Sequence, residues 1–122
     1  METALILMVL LLYKHYLVDF TMQTTEQVKG KAIYGNFDGI AHSAEHALFS
    51  LIFLGAAAIV LPIDIGTVVW VALLDGVTHY HIDWIKMNYG NRDITTPQFW
   101  NDLGLDQYAH QMVYIAMVSI LI

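Results

Sequence analysis

Ionisable side chains recur in this chain at helical steps: His15, Asp19 and Gln23; His42, Glu45 and His46; Asp75, His79, Asp83 and Lys86; Asp106 and His110. Residues three or four apart share one helix face at about 5 to 6 Å, close enough for two of them to hold one cation or to bond each other. The pairs His42/His46, His79/Asp83 and Asp106/His110 offer four imidazoles and two carboxylates, enough for one zinc with a water position or for two metals. The chain has no Cys, so any metal must be held by His and carboxylates. Zinc is the first expectation; manganese, iron or another divalent ion stays open because ligand type alone discriminates weakly.

His42-Ser43-Ala44-Glu45-His46 also fits H-x-x-E-H, in which two His bind zinc and the Glu is a general base. Nothing else in the chain resembles the large soluble peptidases that carry this motif, but the local chemistry makes Glu45 the candidate catalytic base. His15, Asp19, Gln23 and Asp75 are expected behind the ligands, fixing their tautomers. Lys86 is expected to snorkel, to balance Asp83 or to contact substrate, and Lys29 and Lys31 to meet anionic lipid. His81, two residues from His79, points away toward an interface. Any one of these pairs could instead be a structural hydrogen bond between helices.

The elements that must position these residues follow from composition. Of 122 residues, 57% are hydrophobic and only 13% charged, and the mean hydropathy is +0.55, too apolar for a soluble domain of this size. Four apolar stretches, about 3–20, 40–61, 63–87 and 103–122, each approach the length that crosses a bilayer as a helix. The expected fold is all-α, one integral membrane domain over 1–122. It is an up-down bundle of four transmembrane helices with both termini on the same side. Pro62 and Asp64 mark a tight turn between the second and third helices, whereas the other two connections are long and polar. Lys14, Lys29, Lys31, Lys86 and Arg92 all fall at the long-connection face, which the positive-inside rule makes cytoplasmic, leaving the termini outside. Tyr and Trp residues gather at that face as an interfacial belt would. A net charge of −6 removes nucleic acid as a partner and leaves membrane lipid, a lipid-like substrate and a second copy of the chain.

In this topology the ends of helices one and three and the starts of helices two and four meet at one depth, as ligand pairs do in bundle metal sites. The ordered set His15-x-x-x-Asp19-Phe20-x-x-Gln23, His42-x-x-x-His46, His79-x-x-x-Asp83-Trp84-Ile85-Lys86 and Leu105-Asp106-Gln107-x-x-His110 resembles a family of small bacterial and phage membrane proteins. That family is known as domain of unknown function thirty-three-oh-seven. The resemblance implies that these His and Asp positions are the defining ones and that the location is a bacterial inner membrane; it implies no activity. The leading expectation is a metal-dependent hydrolase acting on a lipid or membrane-delivered ester, amide or phosphoester at the cytoplasmic face. The alternatives are cation or proton transport or sensing through the cluster, and a non-enzymatic phage-type membrane partner with a structural polar cluster.

Overall fold

The computed structural model describes residues 1–122 and is all-helical. Helix α1, Glu2–Tyr16, runs into a π-helical turn, Leu17–Met22; α2 is Thr25–Gly30, α3 Phe37–Ala57, α4 Ile65–Tyr89 and α5 Pro97–Leu121. Each start after the first is set by a side-chain cap on the free N–H groups of the opening turn. Thr24 and Gln27 form a capping box on α2, Asn36 Oδ1 accepts from the N–H groups of Asp38 and Gly39, and Asp64 accepts from Thr67 N–H. The Thr67 N–H and hydroxyl also hold the Asp64 carboxyl below its usual range.

Several features differ from the sequence reading. The segment after the first helix contains a further short helix, α2. The last helix starts at Pro97 rather than near 103, because Thr96 accepts from Phe99 N–H and Pro97 sits where no donor is required. The second long helix stops at Ala57 instead of 61, closing through turn hydrogen bonds ahead of Pro62.

The four long helices form a ring: α1 lies against α3 and α5, and α4 against α3 and α5. One half of the ring is filled by Leu7, Leu11, Leu54, Val68, Met117 and Val118, at the end where the chain begins and finishes. The other half is filled by ionisable groups, and in the molecule as a whole buried polar and charged residues outnumber buried hydrophobic ones. The outward faces carry the apolar side chains, among them Leu5, Val9, Ile52, Trp70, Leu73, Val77, Ile115 and Ile120. A protein built for water has the reverse arrangement. Glu2–Met22 and Phe37–Ala57 are long and apolar enough to cross a membrane.

Close helix contact is what brings the polar halves together. At Gly76 an added Cβ would stand 2.9 Å from Ala47 Cβ and 3.1 Å from Ser43 O, so α3 and α4 approach at a distance that only glycine permits. At Gly39 it would stand 3.0 Å from Gly30 O, and this contact seats α2 on α3 and delivers Lys31 into the interior.

Between the two halves lies Lys14, fully buried. Its three ammonium protons match three acceptors, Asp75 Oδ2 at 2.6 Å, His46 Nδ1 at 3.1 Å and Tyr114 Oη at 3.1 Å, and Ser50 also donates to Asp75 Oδ2. One side chain thereby ties α1 to α3, α4 and α5. Removing one partner of such a pair leaves an uncompensated charge. Lys14→Met should therefore lower stability by about 3 to 5 kcal/mol in thermal or denaturant unfolding of the detergent-purified protein, and Lys14→Met/Asp75→Leu should recover most of that loss. Additive losses in the double variant would refute the pairing.

Candidate metal centre

The centre is organised around Asp19. The π-helical turn widens α1 at its end, where His15 and Asp19 both turn into the ring, with His15 Nε2 3.2 Å from Asp19 Oδ2. Its other oxygen, Oδ1, stands 2.9 Å from His42 Nε2, 3.2 Å from His46 Nε2 and 3.4 Å from His79 Nε2, and the Nε2 atoms of His42 and His79 are 3.2 Å apart. Four donors bound to zinc at about 2.0 to 2.1 Å in a tetrahedron stand about 3.3 Å from one another. The spacing of these atoms is that of a set able to share one ion. His79, Asp83 and His110 form a second converging group next to it.

Charge compensation singles out the same carboxylate. Four carboxylates are buried here, and three have an ammonium group at close range: Asp75 has Lys14, Asp83 has Lys31 at 2.8 Å, and Asp106 has Lys86 at 3.2 Å. Asp19 has only Lys31 at 3.7 Å, and otherwise imidazoles. A buried carboxylate without full compensation is costly, and either protons on the surrounding rings or a cation among them supplies what is missing. Because Lys14 donates to His46 Nδ1, His46 carries its proton on Nε2, facing Asp19. A cation held by Nε2 would need that ring proton on Nδ1 and Lys14 as the neutral amine accepting from it, so binding would release one proton from the pair.

A directional hydrogen-bond chain braces the centre. Lys14 donates to Tyr114 Oη, Tyr114 Oη–H to His15 Nδ1, His15 Nε2–H to Gln107 Oε1 at 2.8 Å, and Gln107 Nε2 to Asp106 Oδ2 at 3.1 Å. It links α1 to α5 three times and fixes the tautomer of His15.

The structure gathers all six expected ligand residues, His42, His46, His79, Asp83, Asp106 and His110, into this interior. Other expectations are corrected. Asp19 does not lie behind His42, His46 and His79 but has its Oδ1 among their Nε2 atoms. Glu45 does not face them: both its oxygens accept from Gln27 Nε2 at 3.0 Å, and it lies 3.9 Å from His42 Nδ1, the ring nitrogen turned away from Asp19. Lying between positions 42 and 46, it projects toward α2 instead of into the ring. Asp75 reaches His46 only through Lys14, and Lys86 pairs with Asp106 instead of Asp83. Lys31 is buried against Asp83 rather than exposed to lipid, while Lys29 is exposed. Gln23 points a buried Oε1 inward without a hydrogen-bond partner, and His81 lies at the surface against Tyr34 as expected. Sequence reasoning missed Lys14, Gln107 and Tyr114 as parts of the centre. The signal available was that Tyr114 continues the four-residue step from His110.

Nothing among curated proteins and nothing among solved structures matches the chain. The family described as protein of unknown function (DUF3307) matches residues 6–122, nearly the full length, and the chain belongs to that family.

Proposed function

We propose that the protein is a multi-pass membrane metalloprotein whose four long helices hold a divalent metal just inside one face, and that the centre hydrolyses an ester, amide or phosphoester of a lipid or membrane-delivered substrate. The observation that carries the metal is Asp19, buried among three imidazole nitrogens at 2.9 to 3.4 Å with no ammonium group closer than 3.7 Å. Three nitrogens and one oxygen suit zinc, which would polarise a carbonyl or phosphoryl oxygen or acidify water by expanding to five-coordinate or by giving up one of these donors. In this reading His42, His46 and His79 join Asp19 as ligands, and Glu45, bound to Gln27 and 3.9 Å from the outer nitrogen of His42, places a negative charge behind that ring.

Four spans are supported by what α4 and α5 present to the outside. Their charged residues Asp75, Asp83 and Asp106 face inward, whereas Val69, Trp70, Leu73 and Val77 on α4 and Met112, Ile115 and Ile120 on α5 are exposed. The exposed rings of Tyr13, Tyr16, Trp100 and Tyr108 fit an interfacial belt. With Lys14 and Lys31 taken into the interior, the outward positive charges are Lys29, Lys86 and Arg92. All lie at the long-connection face, which supports a cytoplasmic placement of that face in a bacterial inner membrane.

An amphiphilic substrate is supported by a groove of about 270 Å³ between α4 and α5, lined by Ile82, Ile85, Lys86, Tyr89, Leu105 and Asp106. Its apolar walls suit an acyl chain, and its polar end adjoins His110 through Asp106. A relay across the bundle finds less support, because the polar network ends at Ser50 and Asp75 and the apolar core begins directly beyond them.

Two outcomes are expected. Protein purified in detergent without a metal-affinity column should carry zinc or another divalent ion by elemental analysis and cleave lipid esters or phosphoesters in vesicles, with both properties lost in Asp19→Ala and His42→Ala. Glu45→Gln, which removes a negative charge 3.9 Å from His42 Nδ1, should weaken metal affinity while leaving the metal stoichiometry unchanged. Well-folded parent protein without metal would refute the reading. Because the chain has no Cys, single cysteines report topology cleanly. Lys29→Cys and Thr95→Cys should react with an impermeant thiol reagent from the same side of the membrane and Ile59→Cys from the other. Labelling of Thr95→Cys from the Ile59 side would mean that α4 and α5 do not both cross.

A further inference from the structure

The metal reading leaves part of the buried cluster unexplained. Asp106 uses its two oxygens differently: Oδ2 takes both Lys86 at 3.2 Å and the Gln107 amide at 3.1 Å, while Oδ1 is buried with no hydrogen-bond partner. Oδ1 faces His110 Nε2 at 3.5 Å, and that nitrogen is likewise buried without a partner. On its other side His110 Nε2 faces Asp83 Oδ1 at 3.6 Å. His110 is 2% exposed, Asp83 4% and Asp106 5%, so water from outside does not satisfy these atoms. Separations of 3.5 to 3.6 Å are too long for an N–H···O bond. They suit atoms that share an ion between them, since two donors each about 2.0 to 2.2 Å from a metal lie more than 3 Å apart.

Asp83 joins the two groups. Its Oδ2 is 3.1 Å from His79 Nε2 and 3.6 Å from His42 Nε2, on the side of the first centre, whereas its Oδ1 is turned to His110. A carboxylate presenting one oxygen to each of two adjacent positions is the geometry of a bridging ligand, and two-metal hydrolytic sites place their ions about 3.5 to 4 Å apart. Lys31 on Asp83 and Lys86 on Asp106 neutralise the same two carboxylates and can swing aside, Lys86 most easily because its side chain is 29% exposed.

We propose that His110 and Asp83 form a second divalent-cation position beside the first, with Asp83 bridging the two and Asp106, 3.5 Å from His110, turning its Oδ1 inward as a third donor, so that the centre is binuclear. The proposal rests on the metal reading given above. Two carboxylates and one imidazole make the second position harder than the first, suited to manganese as well as zinc. The pair of ions would clamp the attacking and leaving oxygens of a displacement, and the groove between α4 and α5 opens at Asp106, on the side of this second position.

The test is metal stoichiometry on the full-length detergent-purified chain, stripped with chelator and titrated with manganese(II) or zinc(II). His110→Ala and the near-isosteric Asp106→Asn are compared with the parent, and helical circular dichroism verifies folding. The expected result is two equivalents in the parent and one in either variant. The parent's manganese form should give the electron paramagnetic resonance signal of an exchange-coupled pair, and the variants that of an isolated ion. One equivalent in the parent, unchanged in His110→Ala, would overturn the second position and leave the first intact. Two equivalents retained in folded His110→Ala and Asp106→Asn would overturn its assignment to these residues. No metal in the parent would overturn the metal reading itself, and this inference with it.

Discussion

The interior of this protein is governed by the need to compensate four buried carboxylates with three lysines. Lys14, Lys31 and Lys86 each pair with one of Asp75, Asp83 and Asp106, which leaves Asp19 to the imidazoles. Charges removed from water must be matched by partners at close range, and none of these carboxylates is matched within its own helix by a lysine. The helices therefore assemble through their charges at one end and through apolar packing at the other. The close approaches at Gly39 and Gly76 make the charge contacts reachable.

Rigidity follows from the same contacts. Lys14 is held by acceptors from three other helices, and the chain through Tyr114, His15 and Gln107 reaches Asp106 without a gap. A site held by packed helices and braced by such a chain of hydrogen bonds keeps its donor atoms within the few tenths of an ångström that coordination requires, which a loop-built site does not. Where the chain of bonds stops, at Asp106 Oδ1 and His110 Nε2, the buried cluster borders the groove between α4 and α5, which Asp106 and Lys86 line.

Much of this was legible in the sequence, because the four-residue steps state which side chains share a face and the up-down connectivity states which ends meet. His42, His46, His79, Asp83, Asp106 and His110 were readable by that logic. The rank of Asp19 was not, since only the π-helical turn and three-dimensional packing place its oxygen among three rings. Lys14 and Lys31 were misread for a related reason: a lysine near a helix end ordinarily snorkels to water, and nothing local says that an aspartate 61 positions away or on another helix will capture it. Helix α2 was hidden by its brevity and the early start of α5 by a polar composition that reads as loop, although Thr96-Pro97 is a helix-start signature in retrospect.

X-ray absorption at the zinc edge, on the zinc-loaded protein with one equivalent bound, addresses the Asp19 centre most directly. Nitrogen and oxygen neighbours at about 2.0 to 2.1 Å, with the multiple scattering of three imidazoles, are the expected result. A spectrum without imidazole scattering, from an ion surrounded by water or carboxylate alone, would contradict the assignment of Asp19, His42, His46 and His79 as its ligands.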